Sequence, residues 1–345
     1  MTKQIMVGEV AVGGGAPVSI QSMCNTRTDD VNATVEQIRR LSAAGCQIIR
    51  VAVPDMDAAR AVGAIKEHID IPLVVDIHFD YKLALEAIAA GADKVRINPG
   101  NIGGQERVKA VAQACRQRGI PIRIGVNGGS LEKGLLEKYG GVCPEAMVES
   151  AFGHIRLLNE FDFDDICVSL KSSSVPMTMQ AYQLMRQRSD YPLHIGVTEA
   201  GTVRMGTLKS AVGIGGLLAL GVGDTMRVSL SADPIEEVYA ARDILKAAGV
   251  RKDGPELVSC PTCGRTRIDL IGLAAEVERR LKQVNKPITV AVMGCVVNGP
   301  GEASAADCGI AGGLGEGLLF RKGEIIKKVP QDQLVDELFA LIDTL

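Results

Sequence analysis

The chain has 345 residues, 46% of them hydrophobic and 23% charged, with a formal net charge of −3 and no Trp. That is enough apolar content for one large domain and a smaller one, while so even a balance argues against a general nucleic-acid or membrane-binding surface. The start, MTKQIMVGEVAVGGG, lacks a secretory apolar core, and the apolar stretch from Ala211 to Gly223 is too short and Gly-rich to span a bilayer.

The segment Ile5 to Val12, followed by three glycines, reads as a short hairpin. After it, β-rich apolar runs alternate with helical patterns. The expected strands are Val18–Met23, Gln47–Val53, Pro72–His78, Lys94–Asn98, Pro121–Asn127, Asp165–Lys171, Pro192–Thr198 and Thr225–Ser231. The expected helices are Val35–Ala44, Ala58–His68, Lys82–Ala90, Gln105–Arg118, Pro144–Asn159, Met177–Arg188, Leu208–Leu220 and Pro234–Ala248. Strand and helix at such short spacing imply parallel pairing through crossover helices. Eight units in about 250 residues suit a (β/α)₈ TIM barrel. A doubly wound sheet is the alternative, but no G-x-G-x-x-G follows the first strand. Residues 1–250 are thus expected to form the barrel and 251–345 a small α+β domain, with a helix at Asp269–Val284, a strand at Ile288–Met293, a hairpin in GLLFRKGEIIKKV and a closing helix at Gln331–Ile342.

Barrel active sites lie at the carboxyl ends of the strands. Arg50, Arg96, Arg123, Lys171 and Arg227 each interrupt an otherwise apolar strand, where a charge is costly unless compensated. Together they could hold an oligo-anion such as a diphosphate through forked guanidiniums; the alternative is that each pairs with a nearby carboxylate. Asp76 and His78 share one strand face, as do Arg96 with Asn98, and Arg227 with Ser229. Asn127 ends one strand and Glu199 follows another. Glu199 is a candidate proton donor, with a salt bridge to a neighbouring Arg as its alternative. His194, early in its strand, reads as an ordinary cap or loop residue.

The second domain opens on Cys260-Pro261-Thr262-Cys263, answered by Cys295 and a loop whose Gly299, Pro300 and Gly301 can turn Glu302 back toward it. Three soft thiolates and one hard carboxylate suit an iron–sulfur cluster with one weakly held iron. A zinc knuckle, or thiols that merely pack, are the alternatives. The remaining thiols, Cys24, Cys46, Cys115, Cys143, Cys167 and Cys308, are expected as buried core residues in a reducing, cytoplasmic compartment.

The motifs SIQSMCNT, RVAVP, VVDIHFDYKLAL, KVRINPGNIG, IPIRIGVNGGSLEK, VSLKSS, HIGVTEAG, TMRVSLSADP, SCPTCGR and MGCVVNGPGEA span nearly the whole chain. Through them the sequence resembles the bacterial 4-hydroxy-3-methylbut-2-enyl diphosphate synthase family of the non-mevalonate isoprenoid pathway, in its shorter form without an inserted domain. Cys24 departs from that pattern, where Thr is more usual. The resemblance implies a TIM barrel followed by a 4Fe-4S domain. It also implies two-electron reductive ring opening and dehydration of 2-C-methyl-erythritol 2,4-cyclodiphosphate, with flavodoxin or ferredoxin as electron donor. By motif match it assigns Cys260, Cys263, Cys295 and Glu302 to the cluster, Arg50, Arg96, Arg123, Lys171, Arg227 and Ser229 to substrate phosphates, and Asp76, His78, Asn127 and Glu199 to other active-site positions.

The segment Arg251–Cys260 is too short to carry the second domain from the far end of the barrel to its mouth, so a head-to-tail homodimer is expected. Two other functions fit parts of the sequence: a barrel aldolase or synthase acting on a phosphorylated substrate, with a structural zinc-binding Cys module, and a pterin-type barrel synthase.

Overall fold

Along the barrel strands, side chains alternate between an apolar set that meets the helices and a polar set that meets the barrel axis. The computed structural model describes residues 1–252, 254–295 and 303–345, and they fall into two compact units, Met1–Val250 and Arg251–Leu345.

The first unit begins with the expected hairpin, β1 (Gln4–Val7) and β2 (Val10–Gly13), paired antiparallel. Eight parallel strands follow: β3 (Ser19–Met23), β4 (Ile48–Ala52), β5 (Leu73–Asp76), β6 (Lys94–Ile97), β7 (Ile122–Asn127), β8 (Ile166–Lys171), β9 (His194–Ile195) and β10 (Thr225–Met226). Their order is β8-β7-β6-β5-β4-β3-β10-β9, and a parallel bridge between Val168 and Leu193 joins the two ends. This is the TIM-like barrel expected from the spacing.

Around it lie α1 (Val31–Ala43), α2 (Met56–Lys66), α3 (Tyr81–Ala89), α4 (Pro99–Ile102), α5 (Gln105–Arg118), α6 (Lys133–Tyr139), α7 (Pro144–Asn159), α8 (Val175–Arg188), α9 (Val203–Ser210), α10 (Gly216–Ala219) and α11 (Pro234–Ala247). Local chemistry starts several of them: Asp30, Asp55, Ser174 and Asp233 accept backbone N–H bonds at their N-termini. Outward residues such as Ile49, Val51, Val75, Val95, Ile97 and Ile124 share one apolar core with the helices. At the amino end, Ile5, Val7 and Val12 of the hairpin pack on Ile48, Val74 and Cys167, flooring the barrel.

Three local expectations are corrected. The ladders of β9 and β10 are only two residues long; beyond them the segments continue by single bonds, such as Arg227 N–H to Ile195 O at 3.1 Å. The helix expected at Leu208–Leu220 is split by a π-turn at Ala211–Gly215, where a Cβ on Gly213 would stand 2.7 Å from the Val197 side chain. Finally, helices α4 and α6 were not among those expected.

The second unit is a five-stranded sheet, β11 (Glu256–Ser259), β12 (Thr289–Met293), β13 (Cys308–Gly312), β14 (Glu316–Arg321) and β15 (Glu324–Pro330), paired in that order. The first three run parallel and the last two antiparallel. Helices α12 (Leu270–Leu281) and α13 (Leu334–Asp343) pack Val277, Leu281, Leu338 and Ile342 against Val290, Val292 and Ile310 of the sheet. Of these strands, β11 and β13 were not expected. No helix among the described residues is long and apolar enough to cross a membrane.

Candidate active site

Registered neighbours in a parallel sheet face the same way. Met23 is registered with Arg50, Asp76 with Arg96, Arg96 with Arg123, and Asn127 with Lys171. Since the intervening residues belong to the outer core, all of these point into the barrel, at the carboxyl half of its strands. Arg50, Asp76, Arg96, Arg123 and Lys171 are buried, and Arg227 is half-buried.

The ring is only partly neutralised from within. Asp76 accepts a bond from Arg96 Nη1 at 2.9 Å and lies 3.8 Å from Arg50 and 3.6 Å from His78 Nε2. Arg227 is gripped by Glu237 of α11, with Nε and Nη2 each 3.2 Å from a carboxylate oxygen. Glu237 also accepts from Ser22 Oγ and the Leu230 N–H, so it fixes where Arg227 points. Arg123 and Lys171 make no ion pair among the described residues. The carboxylate-pairing alternative therefore accounts for Arg50, Arg96 and Arg227 and leaves two cations over. Burial, with the surrounding cations, pulls Lys171 well below the ordinary lysine value and Arg123 down to about 10. A dianion entering here would relieve what burial costs these groups.

Two glycines make the room. A Cβ at Gly125 would stand 2.6 Å from Arg96 Nε, and one at Gly196 would stand 3.0 Å from Lys171 Nζ and 2.8 Å from the Arg227 carbonyl. Above the ring, a cavity of about 160 Å³ is lined by Ile77, His78, Arg96, Asn98, Asn101, Asn127 and Ser130. Asn98 caps α4 by accepting from the Gly100 N–H at 3.1 Å. Glu199 is exposed, makes no ion pair among the described residues, and holds a left-handed φ of 52° that aims it without a side-chain partner. Ser229 is half-buried.

One contact, half-exposed at Glu132, ties two cavity loops together. Glu132, just past the loop of Asn127 and Ser130, accepts from Ser150 Oγ and pairs with His154 Nε2, both at 3.1 Å. The His154 ring in turn lies against Gly100, where a Cβ would be 3.2 Å from Cε1. Chiefly through the His154 bond, the Glu132 carboxyl is held down to about 2 against 4.5 when unfolded. A depressed carboxylate stabilises fully above its unfolded value and loses that contribution as pH falls toward the folded one. Glu132→Gln is therefore expected to lower Tm at neutral pH, with the gap to wild type closing between about pH 4.5 and pH 2. A gap that stays constant across that window would rule the linkage out.

In the second unit, β11 and β12 are parallel neighbours, with Ser259 registered to Val292. Cys260 and Cys295 thus leave the same end of two adjacent strands, and Cys263 lies in the loop after Cys260. The Gly294 N–H donates to Cys260 Sγ at 3.1 Å. Hydrogen bonds from the Arg265 backbone and side chain, in that order, lower the Cys263 thiol. Both are environments that favour thiolate. Among the described residues no three His, Cys, Asp or Glu side chains already form a metal-holding group. Glu302 lies outside the described residues.

The GcpE TIM-barrel domain family matches residues 2–242, and the GcpE protein C-terminal domain family matches residues 256–344. The chain belongs to the GcpE family. A relative from Geobacter sulfurreducens is 61% identical over 342 residues, covering 99% of this chain and 97% of its own. One from Clostridium perfringens is 60% identical over 344 residues, covering 100% and 99%. Both are named 4-hydroxy-3-methylbut-2-en-1-yl diphosphate synthase (flavodoxin). Among solved structures, the sialic acid synthetase of Leptospira borgpetersenii matches 72% of this chain and 91% of its own at a TM-score of 0.51 and 13% identity. The dihydropteroate synthase of Xanthomonas albilineans matches 71% and 96% at 0.50 and 14%. At such identity these speak to fold alone.

For this GcpE-family chain, strand periodicity singled out the inward cations but missed the residues that hold them. Glu237 looks like any acid in a helix's first turn, and Met23, whose Sδ lies 2.8 Å from Arg50 Nη2, looks like core. His194 is a correction: it is fully buried inside the barrel rather than a cap or loop residue. Of the thiols expected in the core, Cys143 is half-buried and caps α7 by accepting from the Ala146 N–H at 3.4 Å.

Proposed function

We propose that this chain catalyses the two-electron reductive ring opening and dehydration of 2-C-methyl-D-erythritol 2,4-cyclodiphosphate to 4-hydroxy-3-methylbut-2-enyl diphosphate, with flavodoxin as electron donor. The observation that carries the reading is the surplus of buried cations at the carboxyl ends of the barrel strands, in a chain about 60% identical over its length to synthases of that name. Two electrons and two protons enter and one water leaves.

In this reading residues 1–250 bind the substrate and residues 251–345 carry a 4Fe-4S cluster held by Cys260, Cys263, Cys295 and Glu302. The donor set fits: two thiols leave adjacent strand ends, N–H groups bond to sulfur at Cys260 and Cys263, and a carboxylate is easier to displace than a thiolate. When bound, the cluster supplies single electrons and one Lewis-acidic iron. The chain's own residues do the rest. Arg50, Arg96, Arg123, Lys171 and Arg227, with Ser229, hold the diphosphate and stabilise the negative charge on the phosphate oxygen released at ring opening. Asp76 fixes Arg50, Arg96 and His78, Asn127 orients the substrate at the cavity wall, and Glu199 delivers a proton to the departing hydroxyl.

Anaerobic turnover of the cyclic diphosphate with a strong artificial reductant, with iron, sulfide and zinc assayed on the same sample, tests this. Product with stoichiometric iron and sulfide supports it; colourless zinc protein without turnover overturns it in favour of the aldolase-like alternative. Gly196→Ala adds a finer test. Its methyl group would press on Lys171 and on the Arg227 carbonyl, so we expect a loss of about 1–3 kcal/mol in stability from overpacking and of about 100-fold in turnover from the displaced cation. Unchanged turnover would detach Lys171 from the chemistry.

The active unit in this reading is a head-to-tail homodimer. The helix α11 runs back from the site end of the barrel toward its hairpin floor, and the chain from Arg251 to Cys260 extends at most about 3.6 Å per residue. Each cysteine domain then serves a partner's barrel; specific activity independent of dilution into the monomeric range would refute this.

A further inference from the structure

Beneath the cationic ring the barrel holds polar side chains that, Arg123 apart, the chemistry above does not use. Of the ten buried side-chain N and O atoms without a hydrogen-bond partner among the described residues, nine belong to Ser19, Gln21, Lys94, Arg123, His194 and Thr225. These six are inward residues. Thr225 is registered with both Ser19 and His194, and Gln21, Lys94 and His194 stand two residues before Met23, Arg96 and Gly196 on the same strand faces. Lys94, His194 and Thr225 have no exposed surface, and the hairpin seals the floor below them. Buried polar groups in native proteins are almost always paired with protein or water, so an unpaired set gathered on the inward faces of the lower barrel marks that layer as a place where something else binds.

Charge decides what. Lys94 and the free atoms of Arg123 are donors only. The charged or titratable groups acting most strongly on Lys94 are Cys167, Arg123 and Arg50, and on His194 they are Arg123, Lys171, Lys94 and Arg50; no carboxylate is among these, and Asp76, which does act on Arg123, is already engaged by Arg96, Arg50 and His78. Burial raises the Cys167 thiol, so it is no counter-ion, and burial with the nearby cations drives His194 far below its ordinary value, leaving it neutral with one N–H to donate. Water satisfies donors but not the charge. We propose that the lower barrel binds a small monovalent anion of halide size, held by Lys94 and Arg123 from one side and His194 from the other. Complete burial excludes anything as large as a phosphate ester. Such an ion screens the cations above it from one another before substrate arrives.

The test uses the full-length resting protein and does not depend on the catalytic reading. Crystals in sodium bromide, measured at the bromine edge, are expected to show an anomalous peak within hydrogen-bond reach of Lys94 Nζ and Arg123. In solution, chloride or bromide is expected to raise Tm by about 2–4 °C over isethionate at equal ionic strength, with saturation in the millimolar range, and Lys94→Met to abolish that rise. If the variant does not fold, the two wild-type measurements decide. Only water density at the lower barrel, equal Tm in all three salts, or a peak with no solution effect (binding at crystal concentration only) would each overturn the proposal.

Discussion

Replacing Asp76 with Asn is expected to destabilise the protein by about 3–5 kcal/mol, because among the described residues it is the only carboxylate in ion-pair contact with the buried guanidiniums of Arg50 and Arg96. The Asp76 side chain is 5% exposed and those of Arg50 and Arg96 are 10% exposed, so solvent offers little screening. That corresponds to a fall of about 10 °C in Tm. Burial alone would raise the Asp76 carboxyl, but the His78 hydrogen bond and the charges of Arg50 and Arg96 carry it far below the usual carboxylate value of 3.8. A group depressed in this way contributes fully above about pH 3.8 and progressively less in stronger acid. The gap between variant and wild type should therefore be flat from pH 7 to pH 4 and narrow below. Saturating inorganic pyrophosphate should restore part of the lost Tm, since an anion in the ring takes over the missing charge. A variant within about 2 °C of wild type at pH 7 would show that Asp76 does not offset these cations.

Cys263→Ser is expected to reduce iron content to background and turnover by more than about 100-fold, a larger effect than loss of a group that only supports a metal ligand. Cys263 is exposed and its thiol is lowered first by the Arg265 N–H and then by the Arg265 side chain. A structural thiol has no need of that environment; a ligand does, because thiolate is the ligating form. Cys143→Ser is the control. Cys143 caps a helix with a weak 3.4 Å bond to sulfur, and Ser caps better, so iron and turnover should hold and Tm should stay level or rise slightly. Full iron and full turnover in Cys263→Ser would remove it from the ligand set.

These two residues illustrate what the chain reveals without its fold. Alternation of strand and helix patterns was enough for the eight-unit barrel, because each pattern follows from local side-chain period and the spacing leaves only parallel crossovers. Charges standing in otherwise apolar strands singled out Arg96, Arg123 and Lys171, and the period of two put Asp76 on one face with His78; that these faces turn inward was left to the fold. The short parallel strands β11 and β13 escaped: Glu256–Ser259 is largely exposed, and Cys308–Gly312 is small and glycine-rich, so neither shows a period. The pairing of charges escaped as well. Glu237 reaches Arg227 from a helix, and Glu132 meets His154 across separate segments, contacts that exist only once the barrel has closed.

By itself, then, the sequence determined the barrel, the small domain after it, the five cations and the three thiols, because these depend on residue type and near-neighbour spacing. Only the tertiary structure decided which cations are already answered by a carboxylate and which, like Lys171 and Arg123, make no ion pair among the described residues. It also decided that His194 is buried inside the barrel, within reach of the charge on Lys94, with neither side chain paired among the described residues. Coulomb energy and desolvation depend on distance through space, and a chain read residue by residue contains no such distances.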